Sequence, residues 1–292
     1  MLENVINLGS SSKGNSYFLR IKRETHEKSY GLLIECGFSY NELLFKLNEN
    51  GLSLKDVDGV LVTHYHDDHS KALKELASMG KRIFAPLQAY KKYGINIPNL
   101  PLNNAHVIKD RKTFVLADKI IVKPFPLNHD HIENMSKSKN NNIILSDDYE
   151  KVEIYGFIIT INNNFNILFI IDTMFLPFNI SHIPFDVVFI ESNYLEKVAH
   201  IALNNAKKTN DYGNQKRYER LIYSHMSVET AIKTINGLNL NNTKTIFLTH
   251  TTTSLMIDES RFYNIFKQGI KKKSNVDILV CKKNGGLYYG RI

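Results

Sequence analysis

Thr63-His64-Tyr65-His66-Asp67-Asp68-His69 follows directly on the apolar segment 57–62, and its reading decides the fold. It places three imidazoles and a carboxylate at His-x-His-x-Asp-His spacing within six residues. A structural zinc site takes four ligands, usually rich in cysteine, closed tetrahedrally on one ion. A short turn cannot aim all four of these groups at one point. It can feed two ions lying side by side, as in hydrolytic sites whose metals are about 3.5–4 Å apart. Two histidines one residue apart mean little. The added Asp-His, after a strand pattern and before a helical one, points to metal-assisted hydrolysis rather than a solvated polar turn.

Working outward, the first third alternates short apolar runs with amphipathic ones. Strands are expected at 5–8, 16–21, 30–35 and 57–63, with 9–15 (GSSSKGN) as a Gly/Ser loop joining the first two. Leu43, Leu44 and Leu47 predict a helix over 41–48. Ala72, Leu73, Leu76 and Ala77 predict another over 70–79, with Ser70 as its cap. A strand at 82–85 and a helix at 86–93 follow. The second half offers strands at 113–116, 119–125, 152–161, 166–171, 186–190, 244–249, 277–281 and 287–289. Asn162-Asn163-Asn164 reads as a hairpin turn, and helices are expected at 227–238 and 257–267. The stretch 195–220 is polar and basic, carrying Lys197, Lys207, Lys208, Lys216, Arg217 and Arg220. Strands and helices alternate in both halves, so the class is α/β, with two sheets covered by helices.

The 292 residues, 43% hydrophobic, suffice for one large core. A net charge of +8 favours polyanionic partners such as nucleic acid, although Lys- and Asn-rich usage also follows from AT-biased codons. Two cysteines, Cys36 and Cys281, imply no disulfide framework; they read as buried thiols in a reducing cytoplasm. Met1-Leu2-Glu3-Asn4 shows no secretory signal, and no run approaches the roughly 20 apolar residues of a membrane span. A cytoplasmic location without membrane contact is therefore expected.

A two-metal site needs more ligands than one turn supplies, and strand ends are where loops converge. His129 follows the apolar run 120–127, Asp172 follows Phe169-Ile170-Ile171, and His250 follows Ile246-Phe247-Leu248-Thr249. A lone carboxylate after such a strand is costly unless paired or bound to metal. Taken singly, each also reads as a hydrogen-bonded core residue.

The series His64-x-His66-x-Asp68-His69, His129, Asp172, His250 resembles the ligand series of the metallo-β-lactamase fold. Leu8-Gly9-Ser10-Ser11-Ser12-Lys13-Gly14-Asn15-Ser16, Leu33-Ile34-Glu35-Cys36-Gly37, Glu191-Ser192-Asn193 and His225-Met226-Ser227 narrow it further. They resemble bacterial exonucleases of the WalJ/YycJ type, related to the ribonuclease Z branch. The resemblance implies a four-layer αβ/βα sandwich over 1–292, with halves at roughly 1–110 and 111–292. It implies that His64, His66 and His129 hold one divalent ion, that Asp68, His69 and His250 hold the other, and that Asp172 bridges them. The ions would be zinc or manganese, and a hydroxide shared by them would attack phosphorus.

His225 corresponds to a histidine that supports protonation of the leaving oxygen, with Glu191 orienting it; the plain alternative is that the two cap a helix and a strand. Ser11, Ser12, Asn15 and Asn193 are candidate substrate contacts, although a simple turn accounts for the Gly/Ser residues equally well. Asp67 is expected to face solvent, Asp130 is a candidate hydrogen-bond partner for a ligand imidazole, and His131 reads as an ordinary loop histidine, with a place behind the ligands as the alternative. Glu35 departs from the family pattern, where aspartate is usual. The segment 132–151, with Lys137, Lys139 and Asn140-Asn141-Asn142, reads as an insertion at the mouth of the site, either a lid or a surface loop.

The leading expectation is thus a metal-dependent phosphodiesterase, a nuclease or exonuclease acting on DNA or RNA. The alternatives are a small-molecule phosphodiesterase acting on cyclic nucleotides and a non-catalytic nucleic-acid-binding module. A homodimer is compatible with each.

Overall fold

The computed structural model describes residues 1–24, 26–101, 104–129, 152–252, 255, 258–271 and 275–288. Asp130, His131, the 132–151 segment, Ile257 and Tyr289 lie outside the described residues.

The first half supplies β1 (Leu2–Ser11), β2 (Gly14–Ile21), β3 (Tyr30–Ile34), β4 (Gly59–Leu61), β5 (Arg82–Ala85) and β6 (Ala105–Val107). The second supplies β7 (Phe114–Ala117), β8 (Ile120–Pro126), β9 (Tyr155–Ile161), β10 (Phe165–Ile170), β11 (Val187–Glu191), β12 (Thr245–Thr249), β13 (Asp277–Val280) and β14 (Gly286–Tyr288). They form two seven-stranded sheets, ordered β14-β1-β2-β3-β4-β5-β6 and β13-β12-β11-β10-β9-β8-β7. The closing strand β14 returns to the first sheet and pairs antiparallel with β1. Strands β3 to β6 run parallel, as do β10 to β13, so each sheet has a set of carboxyl ends along one edge.

Side-chain alternation sorts the layers. Tyr17, Leu19 and Ile21 of β2 join Ile167 and Phe169 of β10 in a core between the sheets. Tyr17 meets Phe169 and Phe189 edge-on at 5.6 and 5.8 Å, contacts worth about 0.5–1.5 kcal/mol each beyond their buried area. The opposite face of the first sheet (Phe18, Leu33, Val60) packs against α1 (Tyr40–Glu49), α3 (Leu73–Ser78) and α4 (Leu87–Lys92). The outer face of the second (Leu168, Ile170, Val188) packs against α7 (Val228–Asn236) and α8 (Glu259–Gly269). The result is the expected αβ/βα four-layer sandwich.

Three local expectations are corrected. The Gly/Ser stretch is mostly strand: β1 runs to Ser11 and β2 starts at Gly14, leaving Ser12-Lys13 as the turn. The 70–79 helix is broken into α2 (Asp67–Ser70) and α3, because the Ala72 N–H donates to Cys36 O while His69 O accepts from Cys36 N. Ser70 is no cap; its hydroxyl donates to the carbonyls of Tyr65 and His66 at 2.8 Å. The polar 195–220 stretch forms α5 (Glu196–Lys208) and most of α6 (Tyr212–Ser224), whose buried seams are too thin to show as apolar periodicity. Cys36 and Cys281 are both buried free thiols. No helix among the described residues is long and apolar enough to cross a membrane.

Candidate metal centre

Ligands in open α/β sheets collect beyond the carboxyl ends of parallel strands, and here both sheets present those ends to the same space. Glu35 follows β3 and His64 follows β4 by a short extension; Asp172, Asn193 and His250 follow β10, β11 and β12, and His129 follows β8. Glu35, Asp172 and His250 have φ of 63°, 52° and 53°. Such left-handed backbone is disfavoured for these residues and concentrates where function demands a turned side chain.

The short helix α2 is held where it must be. His66 is its N-cap residue, with Asp68 and His69 inside it. Asn15 Nδ2 donates to Asp68 O at 3.2 Å from the β1–β2 hairpin. Gly37 passes so close that a Cβ there would stand 1.7 Å from Asp68 O. Only glycine fits at that crossing.

Three overlapping donor groups result, each with donor atoms within 4.8 Å of one another: the two that the sequence pattern anticipates, His64/His66/His129/Asp172 and Asp68/His69/Asp172/His250, and Asp172/Glu191/His225/His250. In the first, Asp172 Oδ2 is 3.4 Å from His64 Nε2 and 3.7 Å from His129 Nε2, which is 3.3 Å from His66 Nδ1. In the second, His69 Nε2 is 2.9 Å from Asp172 Oδ2 and 3.4 Å from Asp68 Oδ2, and His250 Nε2 is 3.3 Å from Asp68 Oδ2. A tetrahedral site with bonds of about 2.1 Å has ligand–ligand edges of about 3.4 Å, so most of these spacings suit a metal. The fully buried His64 Nε2 has no hydrogen-bond partner among the described residues, which a cation would remedy. The donor set therefore fits divalent metal, and Asp172 Oδ2 is common to the two anticipated groups.

The outward nitrogens of the rings are oriented in turn. His64 Nδ1 is 2.9 Å from Thr63 Oγ1, His129 Nδ1 3.0 Å from Ser224 O, and His250 Nδ1 3.2 Å from Glu191 Oε1. His69 Nδ1 lies 3.5 Å from Glu35 Oε1, and Glu35 also accepts from the Thr63 N–H. The three hydrogen-bonded partners fix the tautomer and ring plane of their histidines, whereas Glu35 meets His69 Nδ1 as a neighbouring charge without a hydrogen bond. Ser10 Oγ accepts from the His250 N–H at 2.7 Å, joining β1 to the end of β12.

Without metal the cluster is strongly polarised. Burial and the neighbouring imidazoles of His69 and His66 push His64 well below the usual histidine range. For His69, burial opposes the charged form, yet Asp172, Asp68 and Glu35 outweigh it and hold the pKa well above that range. His250 is raised to about 9 and His225 to about 10, again against burial, by Asp172 and Glu191 respectively. Burial opposes ionisation of Asp172 and Asp68, but the surrounding histidines keep both carboxyls well below their ordinary values.

His225 caps the C-terminus of α6, with Nδ1 2.7 Å from Glu191 Oε1 and 3.5 Å from Asp172 Oδ1. A cavity of about 490 Å³ opens over the cluster. Ser12, Asn193 and His225 line it; Ser11 and Asn15 do not. Both are buried, Ser11 accepting from the Lys13 N–H and Asn15 bracing α2. Asp67 is exposed and pairs with Lys92 at 2.7 Å. Residues that the sequence reading did not assign to the site are Glu35, Ser10 and the α6 cations Lys216, Arg217 and Arg220, which line the cavity. Glu35 had a signal, a carboxylate ending an apolar strand; the cations showed only as general basicity.

An αβ/βα sandwich with histidine and aspartate donors gathered along its strand ends is the metallo-β-lactamase fold, a scaffold of metal-dependent hydrolases, and it implies a divalent metal cofactor. The family described as "Beta-lactamase superfamily domain" matches residues 30–251, and the chain belongs to that superfamily. Exodeoxyribonuclease YycJ of Bacillus anthracis is 35% identical over 140 residues, 46% of this chain and 49% of that protein. Anti-Pycsar protein Apyc1 of Bacillus phage BSP38 is 26% identical over 131 residues, 36% of this chain and 50% of that protein. The chain thus spans about half the length of the curated relatives it matches. Among solved structures, the metallo-β-lactamase fold protein YhfI of Bacillus subtilis superposes with TM-score 0.64 at 14% identity, covering 99% of this chain and 100% of that one. Human tRNase Z, short form, superposes with TM-score 0.56 at 13% identity, covering 99% and 100%. At such identities the likeness is one of fold.

Proposed function

We propose that this protein is a metal-dependent phosphodiesterase whose substrate is nucleic acid, acting as an exonuclease. The observation that carries the reading is the convergence of two donor groups on Asp172 Oδ2 beneath an open, cation-rimmed cavity. His64, His66 and His129 would hold one ion and Asp68, His69 and His250 the other, with Asp172 shared between them. Two such ions, zinc or manganese, supply Lewis acidity at a phosphoryl oxygen and a hydrolytic nucleophile at neutral pH.

The chain's own groups complete the chemistry. Glu191 accepts from His225 Nδ1 and fixes the ring, so that Nε2 is the nitrogen that gives a proton to the departing oxygen. Asn193 and Ser12 line the cavity and contact the substrate. Resemblance to a named exodeoxyribonuclease over part of the chain supports a polynucleotide substrate.

The cavity volume favours one second reading. About 490 Å³ falls within the range of roughly 300–1,000 Å³ that encloses a small ligand, so a cyclic nucleotide is the alternative substrate. The deciding experiment offers manganese- or zinc-loaded protein single- and double-stranded DNA, RNA and cyclic mononucleotides, with Asp68→Ala/His69→Ala as control. Polymer cleavage lost in the control is expected. Turnover of cyclic nucleotides alone would shift the assignment to the small substrate, and nucleic-acid binding without turnover of any diester would leave a binding module.

A further inference from the structure

We infer that the Lys216, Arg217 and Arg220 face of α6 is an anion subsite that binds a second phosphate of the substrate, beside the one hydrolysed. The inference rests on the phosphodiesterase reading and narrows it to substrates with more than one phosphate. On a helix, positions i, i+1 and i+4 fall within an arc of about 100°. All three side chains line the cavity that Asp68, His129, Asp172 and His250 also line. The one acid of the helix, Glu219, turns elsewhere and pairs with Lys207 of α5 at 3.4 Å. The cationic face is also tied to the centre: His129 Nδ1 donates to Ser224 O in the last turn of α6, and Tyr194 OH donates to Ile222 O.

Lys216, Arg217 and Arg220 stand on the rim of the cavity that the metal donors also line, beside a diester bound at the centre and within reach of the next phosphate of a polynucleotide. Arginine and lysine bind phosphate oxygens by charge-assisted hydrogen bonds that need no base recognition, so the subsite sets position along the strand without reading sequence.

The test uses Lys216→Ala/Arg217→Ala/Arg220→Ala and a charge-retaining Lys216→Arg/Arg217→Lys/Arg220→Lys protein. Binding of fluorescein-labelled (dT)8 is followed by anisotropy in chelator across salt concentrations, with no metal and no turnover. The slope of log K against log salt should become shallower by about 0.7 for each phosphate that the neutral variant no longer neutralises, and the charge-retaining variant should keep the wild-type slope. In parallel, manganese-loaded proteins are given bis(p-nitrophenyl) phosphate, which has a single phosphate, and 5′-phosphorylated thymidine trinucleotide. The neutral variant should fall about 10- to 100-fold further in kcat/KM on the trinucleotide than on the single-phosphate diester, the effect expected of removing charged hydrogen bonds to a second phosphate. An unchanged salt slope, or an equal fall on both substrates, overturns the subsite. Failure of wild type to hydrolyse either diester refutes the phosphodiesterase reading instead, while the chelated slopes still judge α6.

Discussion

His225 Nδ1 stands 2.7 Å from Glu191 Oε1, and the same carboxylate oxygen is 3.2 Å from His250 Nδ1. One buried carboxylate thus orients both an expected ligand and an expected proton donor. The two roles separate by substitution. His225→Ala should keep the wild-type metal content while kcat drops about 10²–10⁴-fold, the span usual for removal of a general acid. Elemental analysis beside steady-state kinetics checks this; loss of one metal equivalent would make His225 a ligand.

Asp172 belongs to both anticipated donor groups, so Asp172→Asn should reduce bound metal at both positions, whereas Asp68→Asn should deplete one. Asparagine tolerates the φ of 52° there, so folding should survive. Asp172→Val adds a β-branched residue in left-handed backbone and should also lower Tm, since such strain costs on the order of 1–3 kcal/mol. Metal titration and thermal melts of the two variants separate ligation from strain.

Metal and protons compete for the same nitrogens. At pH 7.5 the metal-free protein carries protons on His69 and His250, the latter with a pKa of about 9, and ligation must expel them. Calorimetry in buffers of differing ionisation enthalpy should show net proton release on zinc addition; a binding heat independent of buffer would contradict it. The raised pKa values of His225, about 10, and His250 also stabilise the metal-free fold fully below pH 6.5. That contribution is lost as pH rises through 9 to 10. On the acid side, depressed His64, Asp68 and Asp172 favour unfolding as they protonate. Metal-free Tm should therefore decline in both directions from near neutrality.

Glu35 is wholly buried against His69, and Glu35→Gln should weaken metal binding by about 10- to 100-fold at the Asp68/His69/His250 position. Gly37→Ala should be harsher. Its Cβ meets the backbone of Asp68 and His69 rather than a flexible side chain, so α2 must shift, with about 1–3 kcal/mol of destabilisation. Competition with a chromogenic chelator reads the first effect and denaturant melts the second.

Much of this was legible because burial and chemistry coincide in the string. His64, Asp172 and His250 each close an apolar run, and the Asn162-Asn163 turn shows itself by residues that accept positive φ, 51° and 64°. The break between α2 and α3 was not legible, because it depends on Cys36, distant in sequence, taking over hydrogen bonds that a continuous helix would use. Nor was the place of the basic stretch. The charges of Lys216 and Arg220 were plain, but their position over the cluster depends on Ser224 meeting His129 across 95 residues. Local pattern reports which face is buried; it does not report which distant element a polar face will meet.

The donor series also has an order in time. His64, His66, His129 and Asp172 are all present once a growing chain has passed β10, whereas the other anticipated group waits for His250, after β12 has paired beside β11. The two donor groups are therefore unequal during synthesis: the first is complete while the nascent chain still lacks the second, and a cation bound there would tie the end of β4 in one sheet to the ends of β8 and β10 in the other before the last strands have formed.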